Sequence, residues 1–218
     1  MARSRNRFGP KPAFAKAPSE HDPLSWLYLN PKMEGFEPEP GFTYGVLRRA
    51  FAGRSNSAVE FCRRKAQPVA PPGDATAMPW AITAERIEVL LPQDADDRFL
   101  DPQILCEEVD RRAVEGEQAL LSYVSMAFPT ARRLHECWES ARAFARASLV
   151  RKRGLAVILI LHAPHRAGSG NDAHCHLLIV PRRLDGLGLR GFEPDLCRDS
   201  GQAAIHAAWL EHKAGWDT

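Results

Sequence analysis

Apolar residues along the chain follow two periods, and each period predicts one kind of element. Alternating or continuous apolar stretches predict strands at residues 42–47, 118–128, 155–162 and 174–181. Apolar residues spaced three and four apart predict a helix that ends near residue 66 and further helices at residues 83–90, 102–116, 130–150 and 203–213. The preferred N-cap residues stand at Ser55 or Ser57, Thr83 and Asp101.

Strands and helices mixed in this way predict an α+β fold. Residues 156–161 are apolar at every position and rich in β-branched side chains, which is typical of a central strand covered on both faces. We expect a sheet with helices packed on one face. Residues 1–40 are basic, rich in proline and without periodicity, so we expect a largely irregular arm before a domain spanning residues 41–218.

Composition is that of an ordinary globular protein, and its charge is unevenly distributed. Hydrophobic residues make up 44% and charged residues 26%, and the net charge of +2 does not by itself indicate a nucleic-acid partner. Basic residues cluster in residues 1–20, 44–67 and 132–153, whereas residues 85–117 are mainly acidic. This segregation favours a phosphate-binding face, with scattered solvated faces as the alternative.

Cysteine usage and hydropathy predict the compartment. The five cysteines are widely spaced and contain no CxxC pair, which argues against a disulfide framework or a zinc ribbon. The N-terminus lacks the apolar run of a secretory signal, and residues 155–161, the longest apolar stretch, are too few to span a bilayer. We expect a cytoplasmic protein without a membrane partner.

Three histidines are the most informative residues. His174 and His176 are two positions apart, so on a strand both side chains project from the same face. His162 closes the preceding apolar strand, and pairing of the two strands would bring three imidazoles together. Such a set suits a divalent metal with open positions for substrate oxygen. The alternative is that each histidine is structural or exposed.

The segments around these histidines resemble a known family. Residues 161–164 (LHAP), 171–178 (NDAHCHLL) and 182–186 (RRLDG) resemble the histidine–hydrophobe–histidine block of the MobA/MobL relaxases, which nick one DNA strand at a transfer origin. A weaker resemblance runs from Tyr44 to Trp209. It implies an antiparallel, ferredoxin-like palm sheet. It also implies that Mg²⁺ or Mn²⁺ is held on the scissile phosphate by His162, His174 and His176.

The nucleophile departs from the family pattern. The family's tyrosine lies in the helix after a Gly-Arg-Ser turn, just before an arginine, and that register here places Cys62 before Arg63. Cys62 is either an ordinary buried helix residue or a thiolate nucleophile. Tyr44 is either a substitute nucleophile or a packing residue of the first strand. Tyr123 is interpreted as a core residue, and Tyr28 lies in the arm.

Basic residues near the predicted site are candidate DNA contacts. Beside a metal-bound phosphate they would bind the DNA backbone, whereas elsewhere they would form a solvated surface. The predicted contacts are Arg54, Arg63, Arg64, Lys65, His165 and Arg182.

The residues and the resemblance together predict a metal-dependent, relaxase-like protein. It would bind, nick and rejoin single-stranded or hairpin DNA at a transfer origin, with accessory mobilisation proteins, during plasmid or mobile-element mobilisation. Two alternatives remain open. One is a catalytically impaired DNA-binding module of the same fold, and the other is a metal-dependent hydrolase that uses water.

Overall fold

The computed structural model describes residues 18–70, 80–131 and 133–216. Within these ranges the strands are Phe42–Arg48 (β1), Ala50–Phe51 (β2), Arg54–Ser55 (β3), Arg86–Leu90 (β4), Ala119–Ala127 (β5), Leu155–His162 (β6), His174–Asp185 (β7) and Gly188–Phe192 (β8). The helices are Ala58–Ala66 (α1), Pro102–Arg111 (α2), Leu134–Phe144 (α3), which continues as a π-helical segment Ala145–Arg151, and Gly201–Trp216 (α4). Short 3-10 turns lie at Pro23–Trp26, Asp97–Leu100 and Pro164–Ala167.

One antiparallel sheet forms the centre of the molecule. Its strand order is β1-β5-β7-β6-β4, and β8 pairs with the far end of β7. Strand β7 pairs with β5 on one side and β6 on the other, so the strand that carries His174 and His176 is central. The predicted α+β fold with an antiparallel sheet is confirmed.

Helices cover both faces of this sheet, and the expectation of helices on one face was wrong. Helices α1 and α2 pack on the face that carries Ile158 and Ile160. Helix α3, the π-helical segment and α4 pack on the face that carries Val157 and Leu159. Because β6 is buried at every position from residue 155 to residue 161, each of its faces needs an apolar layer.

Residues 83–90 form part of the sheet and not the predicted helix. Strand β4 lies along the edge of β6, with Arg86 opposite Leu161 and Leu90 opposite Val157. Pairing with a buried strand satisfies the backbone of this short segment, and this outweighs a helical spacing that spans only two turns. The sequence also did not predict β8, and it placed the end of α2 five residues too late.

The described part of the segment before β1 is anchored to the domain by Trp26. Trp26 is fully buried, its Nε1 donates to the main-chain oxygen of Ser19 at 2.6 Å, and its ring lies 5.9 Å from that of Phe61 in α1. Residues 1–17 of the predicted arm lie outside the described residues. None of the helices in the described ranges combines the length and apolar composition that a membrane span requires.

Candidate metal centre and nucleic-acid interface

The three predicted histidines converge at one end of the sheet. His162 ends β6 and pairs in register with His174, the first residue of β7. His176, two residues further along β7, projects from the same face. One ligand nitrogen from each ring lies within 4.8 Å of the other two. Strand register alone therefore assembles the cluster, as the spacing of the histidines predicted.

Two of the histidines are oriented by main-chain oxygens. Nε2 of His162 lies 2.7 Å from the carbonyl oxygen of Lys65, and Nδ1 of His174 lies 2.9 Å from that of Asp172. Carbonyl oxygens only accept hydrogen bonds, so both ring nitrogens donate. The opposite nitrogens, Nδ1 of His162 and Nε2 of His174, therefore keep their lone pairs.

The third histidine is bonded to a side chain. Nδ1 of His176 lies 2.9 Å from Oη of Tyr123, and its Nε2 lies 3.1 Å from Nδ1 of His162. Without a cation, Nε2 of His176 donates to the lone pair of Nδ1 of His162, and a cation bound by both nitrogens would take the place of that proton. Three imidazoles, each fixed by an oxygen partner on its other nitrogen, are a donor set that fits a divalent metal.

Burial keeps these imidazoles neutral. Desolvation lowers the pKa of His162 to about 4, and it also lowers the pKa of His174 and of His176. The nearby ammonium group of Lys65 lowers all three pKa values further. Since only a neutral imidazole offers a lone pair to a metal, the cluster is competent to bind one at neutral pH.

Helix α1 is held so that its last turn borders the cluster. At its start, Asp110 of α2 accepts hydrogen bonds from Oγ of Ser57 at 2.6 Å and from the backbone N–H of Ala58 at 2.8 Å. At its end, the carbonyl oxygen of Lys65 accepts the hydrogen bond of His162. The contact between the two helices therefore helps to set the position of one candidate ligand.

A basic cleft of about 570 Å³ opens beside His162. Arg63, Arg64 and Lys65 line it, and Asp22 is the one acid among the described residues that do so. Nε of Arg64 is buried and finds no hydrogen-bond partner among the described residues. A second, more apolar recess of about 350 Å³ also includes His162 in its lining. The excess of cations beside the histidines suits an anionic ligand.

Tyr44 lies apart from this site, which disfavours its use as a substitute nucleophile. The alternation of β1 directs it to the opposite face of the sheet, into the layer below α4. Its hydroxyl lies 3.2 Å from the carbonyl oxygen of Leu196 and 3.0 Å from that of Arg198. Burial raises the pKa of this hydroxyl, which further disfavours its use as a nucleophile.

Cys62 also points away from the cleft. It is fully buried among the apolar residues below α1 and α2, and its neighbour across the helix pair is the thiol of Cys106. This burial disfavours Cys62 as a thiolate nucleophile. The other interpretation, an ordinary buried helix residue, describes it correctly.

The predicted DNA contacts outside the cleft have other partners or lie apart. Arg54 pairs with Glu60 at 2.8 Å and stacks on Trp26, while His165 is exposed in the turn after β6. Arg182 donates to three main-chain oxygens near β8, eight residues along β7 from His174. These bonds give Arg182 a structural role at a distance from the histidines.

Lys65 and Tyr123 differ most from their sequence interpretation. Lys65 was predicted to contact DNA, but it is buried, with Nζ 3.5 Å from Oη of Tyr123. Tyr123 was interpreted as core and is buried, yet its hydroxyl bonds His176. The available signal was strand alternation, since Tyr123 of β5 lies opposite Leu178 and therefore shares a face with His176.

Comparison with known proteins identifies the family of this chain. A structure solved in work on the molecular basis of vancomycin-resistance transfer in Staphylococcus aureus is 26% identical, with a TM-score of 0.47, over 60% of this chain and 66% of its own. This chain thus covers slightly less than two thirds of that relative. The search of curated proteins found no match to this chain. The model of the MobA/MobL family matches residues 83–217, a range that contains all three histidines. The chain belongs to the MobA/MobL family.

Proposed function

We propose that this protein is a metal-dependent relaxase that binds, nicks and rejoins single-stranded DNA at a transfer origin during mobilisation of a plasmid or mobile element. The observation that carries the proposal is the three-histidine cluster beside a basic cleft, in a member of the MobA/MobL family. Accessory mobilisation proteins are part of the same proposal.

In this proposal the histidine cluster binds the metal at the reacting phosphate, and the basic cleft binds the neighbouring phosphates. His162, His174 and His176 would hold Mg²⁺ or Mn²⁺, which when bound stabilises negative charge on the phosphoryl oxygens. Arg63 and Arg64 would bind the neighbouring phosphates, and the buried Nε of Arg64 would gain the acceptor it lacks. The apolar recess beside His162 has the character to receive a nucleobase.

A second candidate function is a module of the same fold that binds the origin without cutting it. The observation that favours it is the burial of the candidate nucleophiles Tyr44 and Cys62, and of the core residue Tyr123. Of the three tyrosines in the chain, only Tyr28 is partly exposed. Covalent capture therefore separates the two functions and also locates any nucleophile.

The test is a nicking assay on a supercoiled plasmid that carries the DNA flanking the gene, with Mn²⁺ or with EDTA. We expect metal-dependent relaxation and protein bound covalently to a DNA end after denaturation. His174→Ala should abolish both, whereas His135→Ala, an exposed residue at the start of α3, should change neither. Tight binding of this DNA without nicking would favour the binding module, and nicking without an adduct would indicate water as the nucleophile.

A further inference from the structure

We propose that Tyr123 is a positioning residue of the metal centre, whose hydroxyl oxygen holds His176 with Nε2 directed at the cation. The inference rests on the proposed metal-dependent function. When Nε2 of His176 donates its lone pair to a metal, Nδ1 carries the ring proton and donates it to Oη of Tyr123, 2.9 Å away. The hydroxyl thus fixes both the tautomer and the rotation of the ring.

The surroundings of Tyr123 make it a rigid partner. Its ring is 1% exposed, lies 5.7 Å from that of Phe61 in an edge-on contact, and lies 5.5 Å from that of His176. Nζ of Lys65 is 3.5 Å from the hydroxyl oxygen of Tyr123 and 4.9 Å from its ring centre. A side chain confined in this way loses little further freedom when it orients a ligand.

The partner of His176 differs in kind from those of the other two ligands. His162 and His174 donate to main-chain oxygens of Lys65 and Asp172, which no side-chain substitution removes. Tyr123 is therefore the oxygen partner, among those described, that a single mutation can delete while the three histidines stay in place. Tyr123→Phe removes only the hydroxyl group, and the remaining aromatic ring still fills the space that the tyrosine ring occupies.

Tyr44 supplies a matched control. It is also a fully buried tyrosine of the sheet, and its hydroxyl also bonds protein oxygens, those of Leu196 and Arg198. It faces the opposite side of the sheet from the histidines. Tyr44→Phe and Tyr123→Phe each remove one buried, bonded hydroxyl, and only Tyr123→Phe removes it from the metal centre.

The experiment measures metal affinity in the full chain without DNA. Mn²⁺ is titrated calorimetrically, and the visible absorption of bound Co²⁺ reports ligand geometry. We expect Tyr123→Phe to weaken binding by about 10- to 100-fold and to shift the Co²⁺ bands, as loss of an outer partner of a metal-binding histidine does. Tyr44→Phe should leave both unchanged, with a comparable small decrease in melting temperature of the metal-free protein.

The results of this experiment distinguish failure of the positioning role of Tyr123 from failure of the proposed metal-dependent function. Binding that depends on His174 but is unaltered by Tyr123→Phe would overturn the positioning role and leave the metal site standing. Equal weakening by Tyr44→Phe would also overturn it, because general destabilisation would then explain the effect. Absence of His174-dependent binding in the natural protein would overturn the positioning role together with the proposed metal site.

Discussion

Asp110 joins α2 to α1 behind the proposed metal centre, and Asp110→Ala tests how strongly this joint holds the site. The carboxylate accepts hydrogen bonds from Oγ of Ser57 at 2.6 Å and from the N–H groups of Ala58 and Val59 at 2.8 and 3.2 Å. Hydrogen bonds to a charged group contribute about 1.5–3 kcal/mol each, but the freed N–H groups at a helix start regain water. We therefore expect a loss of about 3 kcal/mol in the free energy of unfolding.

Asp101→Ala is the matched control for this prediction. Asp101 caps α2 from an exposed position, where its carboxylate accepts from the N–H groups of Gln103 and Ile104 of its own helix. Loss of such a local cap costs about 1 kcal/mol.

Urea denaturation monitored by circular dichroism measures the free energy of unfolding of Asp110→Ala and of Asp101→Ala relative to the natural protein. A drop in melting temperature of roughly 6–12 °C should accompany Asp110→Ala, about three times that of the control. Because α1 also carries the carbonyl oxygen that orients His162, Mn²⁺ affinity should fall with Asp110→Ala and not with Asp101→Ala. Equal destabilisation by the two variants would refute the inference that α1 is anchored through α2.

Three further predictions follow from single contacts. The hydrogen bond of Arg142 lowers the pKa of Glu88, so Glu88 stabilises the protein above about pH 4 and this contribution is lost as the pH falls through its lowered pKa. The melting-temperature gap between the natural protein and Glu88→Gln should therefore be widest near pH 7 and close in acid, and a constant gap would contradict this sign. Cys62→Ser should leave nicking and adduct formation unchanged while lowering stability, since the sulfur is buried between helices; loss of the adduct in stably folded protein would show that Cys62 is the nucleophile. Arg63→Gln should weaken single-strand binding and reduce the slope of log K against log salt by about 0.7, as measured by fluorescence anisotropy, whereas the exposed Arg151→Gln should not.

The histidine cluster could be predicted from sequence because two simple rules determine it. Alternation on a strand places His174 and His176 on one face, and a short connection makes β6 and β7 antiparallel neighbours. The apolar run that ends at His162 then sets the register. The cap of α1 was predictable for a similar reason, since Ser57 acts on its own helix by accepting from the N–H of Glu60.

The errors concern contacts between distant segments. Residues 83–90 have too few positions for periodicity to separate a helix from a strand, and their pairing with β6 decides the matter. The apolar run of β6 is buried on both faces, and a strand buried in this way requires a helical layer on each side of the sheet. Register along the chain indicated Cys62, and Tyr44 was a substitute from the first strand, whereas the helix interface and the sheet face determine where their reactive atoms point.

The hydrogen-bond partners of the three histidines explain why the ligands can be predicted from the sequence more easily than the residues that orient them. Two of the three oxygen partners are main-chain carbonyls, at Lys65 and Asp172, and any residue type at those positions would supply the same oxygen. The third partner comes from β5, and its sequence position acquires meaning only once β5 is known to pair with β7. In such a site the residue types of the sequence determine the metal ligands, whereas the pairing of the strands determines how those ligands are oriented. A search for related sites should therefore compare strand pairing around the histidines before it compares the residues that flank them.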